Sequence, residues 1–198
     1  MKRELIEVCK KHLTNSRPGD WEHTLRTVEW IRFLIEHEGG DPEILIPAAY
    51  LHDIGWSIAL PPQSKKRGIE VEVVKRFLDL HMKKGAELSR QILTNLSYPK
   101  DKAERIVHLV SIHDYPERIS EKDEILLMEA DRLDRFGKIG LKRIMKVIKK
   151  RDWKKVFPLI RKESKNWFKS RTGKRVYEKL LKEMEKELNK LSKTHLGI

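Results

Sequence analysis

The segment LIPAAYLHDIG, residues 45–55, carries the pattern that decides the fold. Its apolar face is formed at helical spacing by Leu45, Ala48 and Ala49. His52 occupies the next position on that face, so an ionisable side chain ends a buried stripe. Asp53 follows directly, and Gly55 marks a helix end at which both neighbouring side chains can turn inward. The segment predicts a helix that delivers a histidine and an aspartate to the edge of a core.

Four further helical segments place ionisable residues on apolar faces in the same way. These residues are His23, His81, His113, and the pair Asp131 and Asp134. A lone histidine on an apolar face is more often a satisfied core residue than a ligand. A buried carboxylate or imidazole is nevertheless costly unless it is paired or bound to a cation. Because five helices share the pattern, we expect one metal ion to satisfy these groups, with Asp134 orienting a ligand.

Helical periodicity runs through nearly the whole chain, and no run of residues alternates convincingly as a strand would. We therefore predict an all-α fold, a helical bundle with additional C-terminal helices. The predicted helices cover residues 2–14, 20–38, 42–54, 69–79, 82–96, 100–113, 121–134, 137–150, 153–169 and 174–193. The stretch 55–68 contains two prolines and three consecutive basic residues, which indicates a mobile loop. It either covers an anionic substrate or is a plain connector.

Two regions are expected along the chain. Residues 1–150 contain the ionisable set and are predicted to form the metal-binding domain. Residues 151–198 are rich in lysine, arginine and glutamate, and are predicted to form a basic helical extension that packs on the same domain. The aromatic residues expected to make that contact are Trp153, Phe157, Trp167, Phe168 and Tyr177.

Composition narrows the class of protein. The chain has 198 residues, of which 39% are hydrophobic and 37% charged, which is typical of a globular protein with an ionic surface. The single Cys9 cannot form an internal disulfide, and the N-terminal residues do not resemble a leader, so we expect a reducing cytoplasm. No apolar run approaches the roughly 20 residues needed to span a membrane. The net charge of +13 indicates an affinity for anions, or the Lys/Glu-rich surface of a heat-adapted protein.

Several classes of site are missing from the sequence. There is no cysteine cluster for structural zinc, no zincin motif, no Glu-x-x-His pair of the di-iron type, and no glycine-rich phosphate loop. Imidazole and carboxylate ligands suit an octahedral ion with open positions, so Mn, Fe, Co or Ni fit at least as well as tetrahedral Zn, and Mg is possible.

The ordered set of a histidine, a His-Asp doublet and a distant aspartate resembles the HD superfamily of metal-dependent phosphohydrolases. The segments that carry the resemblance are DWEHTLRTVEW (20–30), AAYLHDIGWS (48–57), HMKKGAELSRQIL (81–93), IVHLVSIHD (106–114) and EADRLDRFGKIGLKRI (129–144). It covers roughly residues 17–145. The form EADRLD is closest to small stand-alone members regarded as nucleotide phosphohydrolases.

The resemblance implies roles for individual residues. It implies metal ligation by His23, His52, Asp53 and Asp131. His81 and His113 match positions that bind a second metal in some members and contact phosphate in others, and either could protonate the leaving oxygen. Together with Asp53 they are the predicted catalytic residues. Arg26, Arg132 and Lys84 are candidates for holding phosphate, although an exposed helix charge is the more common interpretation of each. His108 is expected at the surface or behind the ligands, and His12, His37 and His195 are expected to be structural or exposed.

Other functions remain open at this point. The preferred substrate is a nucleotide or another small phosphorylated compound. The net charge and the basic C-terminal helices also permit a nucleic-acid-directed hydrolase or binding protein. A non-catalytic, metal-bound regulatory module is a third reading. The sequence does not indicate the number of subunits.

Overall fold

The computed structural model describes residues 3–62 and 69–193, without the side chains of Arg151, Ser192 and Lys193. Residues 63–68, which hold the basic run of the predicted loop, and His195 lie outside the described residues. The described chain is all-α, as predicted. The helices are α1 (Arg3–Thr14), α2 (Asp20–Glu38), α3 (Pro42–Leu51), α4 (Trp56–Ala59), α5 (Val71–Arg76), α6 (Leu78–Asn95), α7 (Lys100–Ile112), α8 (Lys122–Leu133), α9 (Gly137–Val147), α10 (Trp153–Glu163) and α11 (Arg171–Lys193).

The core lies between α2, α3, α7 and α8. Helix α2 packs against both α3 and α8, while α3 packs against α7, and α6 covers the far side of α7. Aliphatic residues of these helices are fully buried, among them Ile31, Leu45, Leu51, Leu109 and Leu127. Such close packing lets side chains from distant parts of the chain meet in a fixed geometry.

The C-terminal helices share this core. Helix α11 packs against α9, α8 and α2. The residues it buries together with the neighbouring segments are Val156, Phe157, Trp167, Phe168 and Met184. The division into two regions at residue 150 stays a prediction. Within the two described ranges, none of the helices combines the length and the apolar character that crossing a bilayer requires.

Helix ends differ from the predictions at two functionally important places. The third helix was predicted to reach residue 54, but α3 ends at Leu51. The chain continues in tighter turns, with the Ile54 N–H donating to the Leu51 carbonyl at 3.1 Å. The predicted break at residues 80–81 is wrong, since the chain breaks at Phe77 and His81 lies in the first turn of α6. The periodicity of apolar residues predicts which face of a helix is buried. It does not predict where the helix ends, because the end depends on contacts with other segments.

The turn after α3 touches the backbone of α6. A Cβ atom placed on Gly55 would lie 1.9 Å from the carbonyl oxygen of His81 and 2.5 Å from the backbone nitrogen of Gly85. Only a glycine permits this approach, because real Cβ atoms do not come so close to backbone. The contact brings Asp53, two residues earlier, beside His81.

We expect Gly55→Ala to lower the free energy of unfolding by at least about 3 kcal/mol, because the backbone of α6 would have to move. The matched control is Gly85→Ala, on the other side of the same contact. A Cβ there meets Val110 Cγ1 at 3.3 Å and Gly55 atoms only at ordinary distances. Its expected effect is under about 1 kcal/mol, since alanine also favours the helix. Urea denaturation of both variants measures the difference, and equal losses would contradict the close approach.

Candidate metal centre

The structure brings the four predicted metal ligands together. The Nε2 atom of His23 lies 3.0 Å from Asp131 Oδ1 and 3.2 Å from His52 Nε2. Asp53 Oδ2 is 3.6 Å from His23 Nε2 and 3.5 Å from His52 Nε2. All four side chains are buried. Residues 23, 52, 53 and 131, supplied by α2, the turn after α3, and α8, therefore share one centre.

A second group of possible ligands surrounds the other oxygen of Asp53. Asp53 Oδ1 lies 3.7 Å from His81 Nε2 and 3.8 Å from His113 Nε2. The rings of His113 and His52 are edge to face, with centroids 5.3 Å apart. Asp53 thus stands between two sets of imidazoles, one facing each of its carboxylate oxygens.

The outer nitrogen of each histidine is already engaged. The Nδ1 atoms of His52 and His113 lie 2.8 Å from the carbonyl oxygens of Ala49 and Val110, three residues earlier in each case. His81 makes the same contact with Leu78. His23 Nδ1 instead lies 2.7 Å from Asp134 Oδ2, which fits the orienting role predicted for Asp134. Because carbonyl oxygens only accept, the Nδ1 atoms carry the protons of neutral rings, and the Nε2 lone pairs point inward.

The inward nitrogens need a cation. His23 Nε2 and His52 Nε2 are 3.2 Å apart with no atom between them, so two lone pairs would repel unless a proton or a metal ion intervenes. The Nε2 atoms of His81 and His113 are buried and have no hydrogen-bond partner. Imidazole nitrogens with carboxylate oxygens are the donor set of divalent transition metals. The residues present therefore fit a metal, and could also fit a second one.

The charges of the cluster reinforce this fit. Burial lowers the pKa of His52, but Asp53 and Asp131 outweigh it and raise that pKa to about 9. Burial opposes ionisation of Asp53, yet Arg17 and His52 hold the pKa of its carboxyl well below the usual range. Burial, together with the neighbouring His113, lowers the pKa of His81 to about 3. In ion-free protein at neutral pH, a proton on His52 would stand in for a cation.

Two arginines support the ligand carboxylates from outside. Arg17 donates to Asp53 Oδ2 at 2.6 Å, and its guanidinium lies 4.3 Å from the ring centroid of Trp56. Arg135 donates to Asp131 Oδ2 at 2.6 Å. These charge-assisted hydrogen bonds fix which carboxylate oxygen faces the histidines.

A pocket of about 190 Å³ opens beside this centre. Its polar wall contains three aspartates and three arginines: Asp53, Asp114, Asp131, Arg17, Arg135 and Arg143. The Nε atom of Arg143 is buried and has no hydrogen-bond partner, and an Nη atom of the same side chain lies 3.4 Å from Asp20 Oδ1. Two of the carboxylates can bind metal, and the guanidinium groups beside them suit a phosphate group.

The basic residues predicted to hold phosphate do not line this pocket. Arg26 makes a bidentate ion pair with Asp134, with distances of 2.6 and 3.0 Å, and so supports the aspartate behind His23. Arg132 is buried against Trp167, at 4.3 Å from its ring centroid, and pairs with Asp114. Lys84 pairs with Glu87 at the surface. These residues are close in sequence to predicted ligands, but that closeness did not indicate where their side chains point.

Sequence reasoning missed the three pocket arginines. Arg135 lies four residues after Asp131, a spacing that places both on one helical face and could have revealed it. Arg17 lies in the turn before α2, where no helical periodicity indicates the direction of a side chain. Arg143, in α9, reaches the site through the packing of that helix, for which no sequence signal exists.

The remaining histidines lie away from the centre. His12 contacts Ser57 and is partly buried. His37 contacts the Phe33 carbonyl at the surface, and His108 contacts Glu124 at 2.9 Å and is about half exposed. These placements agree with their predicted structural or peripheral roles.

Comparison with known proteins identifies similar folds. A family model described as HD domain matches residues 20–136. The structure resembles that of YpgQ from Bacillus subtilis, with 18% identity, 97% of this chain and 94% of that chain covered, and a TM-score of 0.64. It also resembles a predicted HD superfamily hydrolase from an uncultured Thermotogales bacterium, with 19% identity, coverages of 96% and 90%, and a TM-score of 0.65. YpgQ in complex with ADP matches at 16% identity, coverages of 96% and 97%, and a TM-score of 0.63. No curated protein is significantly similar in sequence.

We expect metal uptake to release about one proton at pH 7.5, because a His52 pKa of about 9 keeps that ring protonated in ion-free protein and a ligand must be neutral. Affinity for Mn²⁺ should therefore fall about tenfold for each pH unit between 9 and 7. Calorimetry in two buffers of different ionisation enthalpy measures the proton count. Affinity independent of pH over this range would contradict the charge state assigned to His52.

Proposed function

Because the chain belongs to the HD domain family, we propose that it is a metal-dependent phosphohydrolase that cleaves a phosphoester or phosphoanhydride of a nucleotide. One observation carries the proposal: the buried Asp53 carboxylate is shared between two sets of inward-facing imidazoles and borders a pocket lined by arginines. Groups that can ligate a cation thus lie beside groups that can bind phosphate, and this arrangement supports hydrolysis of a phosphate.

His23, His52, Asp53 and Asp131 would hold the metal. A divalent ion bound there supplies Lewis-acid activation of water and of a phosphoryl oxygen. The protein side fixes the ligands through Asp134, which contacts His23, and through Arg135, which contacts Asp131. Such support keeps each ligand in one orientation and tunes its basicity. Mn, Fe, Co and Ni are the preferred ions on the chemistry of this donor set.

Arg17, Arg135 and Arg143 would hold the phosphate. Arg17 and Arg135 each donate a hydrogen bond to a carboxylate that would ligate the metal. Arg143 has an unpartnered Nε–H group and lines the pocket. Their positive charges compensate the negative charge of a phosphate and of the two aspartates. This assignment replaces Arg26, Arg132 and Lys84, whose contacts lead elsewhere.

His81 and His113 would complete a second cation site with Asp53. Both Nε2 atoms are buried, lack partners and face Asp53 Oδ1. Protonation of the leaving oxygen by His81 is the weaker alternative, because its low pKa leaves the ring neutral at physiological pH. A neutral, inward-facing imidazole is suited to ligation.

A nucleotide is the preferred substrate for two reasons. The segment EADRLD resembles that of small members regarded as nucleotide phosphohydrolases, and the structural neighbour YpgQ forms a complex with ADP. Both reasons come from similarity to other proteins. Incubating Mn-loaded protein with nucleoside mono-, di- and triphosphates and a generic phosphomonoester, and identifying the products, tests the reaction class and the bond together.

We expect Asp53→Ala to lose bound metal and to lower phosphate release at least about 1,000-fold, since it removes a ligand and the group shared by both sets. Elemental analysis and a phosphate assay measure the two effects, and circular dichroism checks that the helices remain. Asp101→Ala, an exposed aspartate on α7, is the matched control. Unchanged metal content in the Asp53 variant would refute the ligand assignment.

Arg143→Met should raise KM about tenfold or more while kcat stays within about threefold, because one charge-assisted hydrogen bond to phosphate is lost. Asp20 keeps its other partner, Arg17, so the fold should persist. Lys84→Met tests the competing sequence-based assignment, and Lys83→Met is the exposed control. A larger KM effect at residue 84 than at residue 143 would restore the original assignment.

A further inference from the structure

We propose that the pocket selects small phosphorylated compounds whose non-phosphate group is held by apolar contact alone. The protein would make no hydrogen bonds to the polar atoms of that group. This rests on the proposed phosphohydrolase function and names the substrate class for it. The phosphate would lie at the arginines, and an aliphatic chain or single ring system would lie against the aliphatic residues of the lining. Base identity would then have little influence on the choice of nucleotide.

The rest of the lining is an aliphatic wall. Apart from the arginines, the aspartates and Trp56, every described residue that lines the pocket is a valine, leucine or isoleucine. Eight of these nine come from α5, α6, α9 and α10: Val71, Val74, Leu78, Ile144, Val147, Val156, Leu159 and Ile160. No serine, threonine, asparagine, glutamine or tyrosine side chain lines the pocket within the described ranges. Apart from the Trp56 indole, the polar side chains of the described lining are therefore the charged ones at the metal centre.

The backbone of this wall is also engaged. The Val147 carbonyl accepts from the Ile69 N–H at 2.7 Å, and the Ile148 N–H donates to the Ile144 carbonyl at 2.8 Å. The Val71 N–H lies 3.4 Å from a carboxylate oxygen of Asp152. A substrate hydroxyl or amide placed here would lose its water partners without gaining protein ones, which is costly.

Trp56 does not offer a free stacking platform. Its ring packs against the His81 ring with centroids 4.0 Å apart and an angle of 10° between planes. The Arg17 guanidinium lies 4.3 Å from its centroid. The indole N–H donates to Asp53 Oδ1 at 3.0 Å. The tryptophan is therefore committed to the metal centre, and the aliphatic side chains are left to hold the substrate.

The pocket is small. Its volume of about 190 Å³ is below the roughly 300–1,000 Å³ of typical ligand sites. The aliphatic residues would therefore contact only the part of a substrate next to the phosphate, and a larger substrate would extend beyond the pocket. Much of the wall, including Val147, Val156 and Leu159, also lies beyond the family-matched residues 20–136. The C-terminal region thus sets the specificity of a centre whose ligands lie elsewhere.

The most direct test compares two phosphonates that differ only in their terminal group, which is a methyl group in one and a hydroxyl group in the other. Propylphosphonate and 2-hydroxyethylphosphonate have the same head group and nearly the same size, and neither is hydrolysed. Calorimetry on Mn-loaded protein should show tighter binding of the propyl compound, by about tenfold, because the hydroxyl finds no partner in the wall. Equal binding, or tighter binding of the hydroxyl compound, would overturn the inference.

A variant locates the effect. Leu159→Ala should weaken the binding of propylphosphonate at least about threefold more than the binding of 2-hydroxyethylphosphonate, because the terminal methyl group loses an apolar contact. Leu188→Ala removes the same atoms from α11, which does not line this pocket, and should keep the preference. Loss of the preference in the Leu188 variant, with none in the Leu159 variant, would contradict the assigned wall.

Turnover separates this inference from the proposed function. Hydrolysis of AMP and GMP, whose base edges present opposite donors and acceptors, should differ by less than about threefold in kcat/KM. A difference of about 30-fold or more would overturn the inference while supporting phosphohydrolase activity. Selective phosphonate binding without phosphate release from any compound would support the apolar wall and reject the proposed function.

Discussion

The charge of one buried carboxylate, that of Asp53, constrains the rest of the structure. An anion without water is costly, and here it is compensated by Arg17 at 2.6 Å, by the Trp56 N–H at 3.0 Å, and by the neighbouring His52, whose raised pKa keeps it protonated in ion-free protein. His23, His81 and His113 face the same carboxylate, so α2, the segment after α3, α6 and the end of α7 must all approach one point. The near contact between Gly55 and α6 has the same origin, since it allows Asp53 to reach His81.

The sequence was sufficient for the helical fold and for the histidines and aspartates that meet in the core, and insufficient for the groups around them. His52 and Asp131 were found because helical periodicity exposes a polar residue on an apolar face. Arg143 was not found, because an arginine on a surface helix has the same pattern whether it faces solvent or a neighbouring pocket. The early end of α3 at Leu51 was missed for a related reason: it depends on what the following turn contacts. The local sequence pattern thus predicts which helix face is buried, and tertiary packing determines where an individual side chain points.

The C-terminal region, which was predicted to be a basic helical extension packed on the same domain, contacts α8, the helix that carries Asp131. Glu129, fully buried, accepts hydrogen bonds from the backbone N–H groups of Lys169 and Ser170, at 2.5 and 2.7 Å. Trp167 lies 4.3 Å from the guanidinium of Arg132 and 5.6 Å from that of Arg135. The lysines that produce the net charge lie mostly on exposed faces. Trp167 and the hydrogen bonds that Glu129 accepts connect α8 to the C-terminal region.

The histidines differ in what orients them, and this bears on how the protein acquires its ion. His52, His81 and His113 are oriented by carbonyls three residues earlier, so each ring is set as soon as its own segment is formed. His23 depends on Asp134, 111 positions further along the chain. During synthesis on the ribosome, the segments that orient these three rings emerge before α8 and Asp134. The cluster can therefore be completed only after α8 has been synthesised, because α8 carries Asp131 and is followed directly by the residue that orients His23.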